Sequence, residues 1–173
     1  MKKLSLILLL GLFACGKKPM NENFSKLIKA KEHTVLMFIA PDCPMCMTLS
    51  TPFSKLSEKY TDIQFLAVYS GKHYEPMEIN MFATETKLKP RIFRDYEYEV
   101  AHHLGASVTP EFFLLDSSAT ILYQGSMDDR ILELGSYKQQ WDKHYLIDAI
   151  EETLAGNEVT VKKTEPVGCV LEY

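Results

Sequence analysis

An apolar run that ends at a proline and is followed by two cysteines constrains this chain more than any other stretch. Residues Val35 to Ala40 are continuously apolar and partly β-branched, which is typical of a strand buried on both faces of a sheet. Beyond the proline, apolar residues recur at spacings of three and four: Cys46, Leu49, Phe53, Leu56 and Tyr60. That spacing predicts a helix with one apolar face, ending near Tyr60, so the cysteines lie at a strand-to-helix turn.

Cys43 and Cys46 are separated by Pro44 and Met45 and open the predicted helix. Pro44 suits the first helical position because its fixed φ is helical and its missing N–H would have no partner there. Unpaired backbone N–H groups and the positive end of the helix dipole then favour the thiolate of Cys43. We therefore expect Cys43 to be the nucleophile. Cys46, one turn later on the core-facing side, is expected to be the resolving thiol.

Paired cysteines at this spacing also occur as half of a zinc site, which needs a second pair of ligands. The remaining candidates are Cys169 and five scattered histidines, none of which forms a second CxxC or an HxxxH pair. Inert structural thiols are a third interpretation. The motif context favours a redox pair over both, with no metal and no cofactor beyond a redox-active disulfide.

The N-terminus has the pattern of a targeting segment. Lys2 and Lys3 precede an apolar run over residues 4–13, which is too short for the roughly 20 residues that span a bilayer. The end of that run, through Cys15, resembles a bacterial lipobox, which implies cleavage before Cys15 and acylation of that residue. We expect a lipoprotein signal peptide over 1–14 and a tether over 15–22; a plain secretory signal or a buried helix is the alternative. The mature chain is then expected in the bacterial cell envelope, lipid-anchored and facing the periplasm or the exterior, where disulfides persist.

The rest of the chain reads as one α/β domain, residues 23–156, and a C-terminal arm, residues 157–173. The 173 residues are 46% apolar, which is enough for one substantial core, and a net charge of -4 argues against a nucleic-acid partner. A second strand over 63–69 implies a right-handed parallel crossover, and a turn over 116–119 implies an antiparallel hairpin. Residues 127–143 read as a loosely packed insertion, and the helix over 145–155 is expected to point Leu154 inward.

The CxxC after a buried strand, together with Val108-Thr109-Pro110 before the hairpin, resembles the thioredoxin superfamily. The resemblance implies an α/β, thioredoxin-like fold in three layers, with a central mixed β-sheet flanked by helices. It also implies a cis peptide bond at Pro110, facing the disulfide, and backbone hydrogen bonds from Thr109 to a bound peptide. The extra helix and the C-terminal tail are similar to the envelope redoxins related to alkyl hydroperoxide reductase and to lipoprotein thiol–disulfide oxidoreductases. Asp42 stands where thioredoxins commonly have a tryptophan; it either caps the helix, a role that its carboxylate suits, or opposes thiolate formation at Cys43.

These features predict a membrane-anchored thiol–disulfide oxidoreductase. Cys43 attacks a disulfide of a protein partner, and Cys46 resolves the mixed disulfide. The expected partners are protein thiols and disulfides of the envelope, an envelope thiol reductase as electron donor, and the membrane through the lipid anchor. Because Pro44 and Met45 supply no positive charge to stabilise the thiolate, we expect a reductant.

Two other functions are weighed against disulfide exchange. The related thiol peroxidases place a threonine three residues before the reactive cysteine, and this chain has Ala40 at that position before Cys43. Copper-binding proteins of the redoxin fold have three residues between their cysteines and a histidine in the loop near the position of Pro110. Here the spacing is two and that loop contains no histidine. Both features favour exchange.

Cys169 is the thiol left over. If Cys15 is acylated, three cysteines remain, and an odd thiol outside the cytosol invites pairing or exchange. Cys169 either docks near Cys43 and forms a regulatory disulfide or is a free thiol in a mobile arm. The second interpretation is the expectation, because nothing else in the arm indicates a function.

Overall fold

The computed structural model describes residues 21–173, and the predicted signal peptide and most of the predicted tether lie outside that range. The helices are α1 (Glu22–Ile28), α2 (Pro44–Lys59), α3 (Pro76–Glu85), α4 (Glu99–Leu104) and α5 (Tyr145–Leu154). The strands are β1 (His33–Ile39), β2 (Gln64–Ser70), β3 (Arg91–Asp95), β4 (Val108–Thr109), β5 (Glu111–Asp116), β6 (Ile121–Gly125), β7 (Ile131–Glu133), β8 (Ser136–Tyr137) and β9 (Cys169–Val170).

The central sheet has five strands in the order β3-β2-β1-β5-β6. Strands β1 and β2 pair in parallel, with Val35 opposite Phe65, as the predicted crossover requires. Strands β5 and β6 form the predicted antiparallel hairpin, and β5 also pairs antiparallel with β1. The sheet is therefore mixed, and β1, which leads into the cysteine motif, lies at its centre.

Helices cover both faces of the sheet and bury its alternating side chains in two clusters. On one face, Met37 packs with Phe53 of α2 and Ile150 of α5. On the other face, Phe38 packs with Phe24 of α1 and with residues of α4. Because both faces of β1 are covered, every residue from Thr34 to Ile39 is buried, which explains its unbroken apolar run. The expected three-layer α/β fold is confirmed.

One local prediction was incomplete and one was wrong. The segment 127–143 is loosely packed, as expected, since Leu132 and Leu134 are more than half exposed. It also contains a hairpin formed by β7 and β8, which are too short to show a period-two pattern, and at its start Arg130 forms a paired contact with the buried Asp128, including Nη2 to Oδ2 at 2.6 Å. The prediction that Leu154 points inward was wrong: it is 48% exposed, and it is the last residue of α5.

The C-terminal arm is docked along its length on the domain. The backbone of Gln124 in β6 exchanges hydrogen bonds with Lys162 and Thr164, and Val159 is buried. Further on, β9 pairs with β4 next to the cysteine motif. Within residues 21–173, no helix is both long and apolar enough to cross a membrane.

Candidate redox site

The cysteine motif lies where β1 leads into α2. Cys43 is the residue before the first helical position, its backbone N–H donates to the Ala40 carbonyl at 3.1 Å, and Pro44 begins the helix. Capping of this helix was one of the two roles expected of Asp42, and that prediction was wrong. The helix begins one residue too late for it, and the capping position, held by Cys43, has no side-chain cap. The Asp42 carboxylate instead accepts a hydrogen bond from Tyr74, and burial together with this carboxylate raises the pKa of the Tyr74 phenol.

The loop before β5 brings a second element of the site against Cys43. The peptide bond between Thr109 and Pro110 is cis, as the resemblance implied. The Thr109 carbonyl oxygen accepts a hydrogen bond from Cys43 Sγ at 3.1 Å. The two features that lie far apart in the sequence are therefore in direct contact.

A buried carboxylate holds this loop, and the sequence analysis missed it. Glu111 is 1% exposed, and its Oε2 accepts from the backbone N–H of Ser107 at 2.7 Å. Its Oε1 accepts from Gln124 Nε2 at 2.8 Å, which ties the loop to β6. An acidic residue that opens an otherwise apolar strand was the available signal, since a buried carboxylate needs such partners.

Cys43 is an acidic thiol. Its pKa is lowered from 9.0 to about 5, first by the hydrogen bond from the Cys46 side chain and then by the Cys46 backbone N–H and the side chains of Cys169 and Thr109. Burial raises the pKa of Cys43 but is outweighed by these donors. A thiolate is favoured where donors surround the sulfur, so Cys43 is the nucleophilic member of the pair.

Cys46 has the opposite character. Burial and the adjacent Cys43 sulfur raise the pKa of the Cys46 thiol well above 9.0. Its side chain is buried on the inner side of α2, with Sγ 4.0 Å from the Phe38 carbonyl oxygen of β1. Both thiols of the motif are buried, but the pKa shifts favour the thiolate at Cys43 and the protonated thiol at Cys46.

Cys169 lies at the same site: it is a free thiol, as expected, but it docks beside Cys43, as the other interpretation of this residue required. Its Sγ donates to Cys43 Sγ at 3.3 Å, and its backbone lies opposite Thr109 in the β4–β9 pair. Burial, followed by the hydrogen bond and the charge of Cys43, raises the pKa of Cys169 to about 11. This contact could not be predicted from the sequence, because a strand as short as β9 has no periodicity.

The residues needed by the two alternative functions are not assembled in this part of the chain. No cluster of three or more histidine, cysteine or acidic side chains in residues 21–173 is arranged to hold a metal ion. His102, one of the five histidines of the chain, stacks on Tyr173 with ring centroids 4.2 Å apart. Ala40 occupies the position that a peroxidase would give to threonine.

Comparison with known proteins agrees with this fold. The Redoxin family profile matches residues 12–140, which is more than half of the chain. A hypothetical protein from Sinorhizobium meliloti 1021 superposes with a TM-score of 0.74 at 21% identity, over 86% of this chain and 83% of that one. An uncharacterized conserved protein from Geobacillus kaustophilus gives 0.74 at 24% identity, over 86% and 80%.

A candidate thioredoxin from Neisseria meningitidis gives a TM-score of 0.56 at 19% identity, over 73% of this chain and 78% of that one. No curated protein sequence matches the chain. At these identities the structural similarity supports the fold alone, whereas the family assignment rests on the match to the family profile. The chain belongs to the Redoxin family and has a thioredoxin-like fold.

Proposed function

We propose that this protein is a thiol–disulfide oxidoreductase that exchanges disulfides with proteins through Cys43 and Cys46. The observation that carries the proposal is the unequal pair of thiols at the start of α2. Cys43 has a pKa of about 5 and contacts the loop of Thr109 and Pro110, whereas Cys46 is buried with a raised pKa. Exchange chemistry needs one thiolate to attack and a second thiol, held in reserve, to resolve.

The proposed cycle balances in two steps. The Cys43 thiolate attacks one sulfur of a partner's disulfide, so that a mixed disulfide forms and the partner's other sulfur leaves as a thiolate. Cys46 then gives up its proton and attacks Cys43 Sγ, releasing the partner's first sulfur. The partner has gained two electrons, one proton from Cys46 and one from the solvent, and Cys43–Cys46 has become a disulfide; the reverse sequence donates a disulfide to a partner dithiol.

The acidity of Cys43 argues against the direction expected from the sequence. That expectation of a reductant depended on the absence of a cation near the thiolate, but Cys46, Cys169 and Thr109 provide hydrogen bonds that stabilise it. A stabilised thiolate favours the dithiol form and makes the disulfide a stronger oxidant. We therefore propose that the pair donates its disulfide, with a reduction potential more positive than the about −270 mV of thioredoxin.

We also propose that the exchange takes place at the membrane of the bacterial envelope. Support comes from the sequence, where Cys15 follows a short apolar segment that resembles a lipobox. Acylation would tether the domain by residues 15–22, and envelope protein thiols would be its partners, with an envelope thiol oxidoreductase restoring its redox state. Labelling of the full chain with a fatty-acid analogue tests this, because a Cys15→Ser variant is expected to incorporate none.

A peptide with an internal disulfide, labelled with a fluorophore and a quencher, tests the exchange activity. The oxidised full-length chain is expected to close the reduced form of the peptide, and the reduced chain to open its disulfide form less completely, whereas Cys43→Ser is expected to be inactive in both directions. A chain with both Cys46→Ser and Cys169→Ser keeps the nucleophile but lacks both neighbouring thiols, so it is expected to retain the peptide covalently on Cys43. A Cys43→Ser variant as fast as the unsubstituted protein would contradict the proposed function.

A further inference from the structure

The C-terminal arm pairs with β4, the short strand that ends at the cis peptide bond between Thr109 and Pro110. Strand β9 pairs antiparallel with β4, and Cys169 lies opposite Thr109 in this register. The next residue pair continues the ladder, because the N–H of Leu171 donates to the Ser107 carbonyl at 2.9 Å. An extended peptide that adds to a free strand edge is held in the same way, so the arm has the geometry of a bound substrate strand.

A glycine makes this close approach possible. A Cβ atom at Gly168 would lie 2.5 Å from the Thr109 carbonyl oxygen and 2.8 Å from its carbonyl carbon. Real Cβ atoms do not approach backbone this closely, so any side chain there would push the arm away from the loop. Gly168 directly precedes Cys169 and therefore fixes how near its sulfur comes to Cys43.

The arm is also held on both sides of Cys169. On the N-terminal side, Thr164 Oγ1 accepts from the backbone N–H of Ser126 at 2.9 Å. On the C-terminal side, the Tyr173 ring stacks on His102 at 4.2 Å, and its hydroxyl donates to the Ala106 carbonyl. With both flanks fixed, the placement of Cys169 beside Cys43 is a property of the folded arm.

The distance between the Cys169 and Cys43 sulfur atoms and their exposure to solvent both suit thiol–disulfide exchange. Cys169 Sγ lies 3.3 Å from Cys43 Sγ, which is in van der Waals contact and needs only a small shift to bond. Cys43 is 0% exposed, whereas Cys169 is partly exposed and lines a cavity of about 290 Å³ together with Asp42 and Tyr74. Cys169 is therefore more accessible to solvent than Cys43.

We propose that Cys169 is a third redox thiol, carried on an internal substrate strand, and that Cys43 forms alternative disulfides with Cys46 and with Cys169. The inference rests on the proposed exchange activity of Cys43 and names its first substrate as the chain's own arm. Starting from the Cys43–Cys46 disulfide, the Cys169 thiolate attacks Cys43 Sγ. The Cys43–Cys46 bond breaks, the Cys43–Cys169 bond forms, and Cys46 leaves as a thiolate that takes the proton given up by Cys169, so the net oxidation state is unchanged.

The Cys43–Cys169 disulfide lets an external thiol react with the site at the partly exposed Cys169. A partner dithiol that enters the cavity attacks Cys169 Sγ, and Cys43 leaves as a thiolate. The low pKa of Cys43 makes it the better leaving group of the two. The partner's second thiol then attacks its own bound sulfur and releases Cys169, so the partner becomes a disulfide while Cys43 and Cys169 become thiols. In this route the arm stays docked.

Mapping of disulfides in glutathione buffers tests the inference on the full-length chain. Every variant carries Cys15→Ser, so that Cys43, Cys46 and Cys169 are the remaining thiols. In Cys46→Ser, non-reduced mass spectrometry is expected to find the Cys43–Cys169 disulfide. Glutathione adducts on Cys43 are expected to be about tenfold rarer than in the variant with both Cys46→Ser and Cys169→Ser, because the docked thiol has a high effective concentration.

A second variant tests the strand without removing a thiol. Adding Gly168→Ala to Cys46→Ser is expected to lower the ratio of internal disulfide to glutathione adduct about tenfold, because the added methyl group displaces the arm. Val170→Ala is the matched control in the same strand, since this side chain is 75% exposed, and it is expected to leave the ratio unchanged. Circular dichroism checks that each variant is folded.

The outcomes separate this inference from the proposed function. If Cys46→Ser gives glutathione adducts on Cys43 and no Cys43–Cys169 disulfide at any buffer ratio, the inference is overturned, and this result does not depend on the glycine variant. An unchanged ratio in folded Gly168→Ala would overturn the role of the strand. Formation of Cys43–Cys46 in a Cys169→Ser chain would still support the proposed function, and its failure there would count against that function instead.

Discussion

The acidity of Cys43 is the electrostatic property on which the proposed exchange depends, and it can be titrated directly. The pKa of Cys43 is lowered from 9.0 to about 5 by hydrogen bonds, of which the one from the Cys46 side chain is the largest contribution. At pH 7 the thiolate is then expected to make up about 99% of Cys43, against about 1% for an unperturbed thiol. The reduced protein should therefore ionise one thiol near pH 5.

The same shift predicts how the stability of the reduced protein depends on pH. The pKa of Cys43 is lower in the folded chain than in the unfolded chain, so its contribution is complete above about pH 9 and is lost as the pH falls to about 5. Over that range it amounts to at most about 5.5 kcal/mol, since the pKa falls by about four units and each unit corresponds to about 1.4 kcal/mol. Cys169 has the opposite sign: its pKa is raised to about 11, so its contribution is lost as the pH rises from 9 to 11.

Two measurements on the reduced full-length chain check this prediction. Ultraviolet absorbance of the thiolate, with Cys43→Ser as the blank, gives the midpoint of ionisation. Urea unfolding at a series of pH values gives the free energy of unfolding, and the difference from Cys43→Ser isolates the contribution of this thiol. A midpoint above about pH 8, or a difference that does not grow between pH 5 and 9, would refute the reasoning.

Two further predictions concern the packing and the loop that hold the site. Phe53→Ala is expected to lower the free energy of unfolding by about 3–5 kcal/mol, because this buried ring of α2 packs on two other rings, whereas Leu154→Ala on the exposed end of α5 should cost less than about 1 kcal/mol in the same urea titration. Glu111→Ala leaves the N–H of Ser107 without its acceptor and is expected to cost about 1–3 kcal/mol, with Glu111→Gln less costly because it keeps an oxygen; equal stability of the alanine variant and the unsubstituted chain would contradict this role.

The sequence was most informative where a local pattern and a chemical motif coincided. Val35 to Ala40 predicted the central strand because its burial on both faces leaves no polar position, and Pro44 marked the start of α2. Pro110 was informative only together with the CxxC, because a proline before a strand is usually trans. The resemblance therefore supplied what the local pattern could not.

What the sequence could not show depends on contacts between distant residues. Cys169 meets Cys43 across 126 positions, through a strand too short to have a period. Glu111 was missed because its partners lie in a loop and in another strand. Asp42 was considered as a cap because of its residue type, whereas the helix begins after Cys43 and leaves Asp42 to bond with Tyr74.

The most direct test of the exchange activity is a redox titration of the full-length Cys169→Ser chain, in which Cys43 and Cys46 are the two thiols of the described domain. After equilibration in glutathione buffers and quenching with acid, mass spectrometry gives the fraction that has lost a pair of hydrogens, and peptide mapping locates the bond. We expect a Cys43–Cys46 disulfide whose ratio to the dithiol form changes tenfold for each 29.6 mV of buffer potential, as about two electrons require. Two thiols that stay reduced in every buffer, or glutathione adducts on Cys43 without an internal disulfide, would contradict the account.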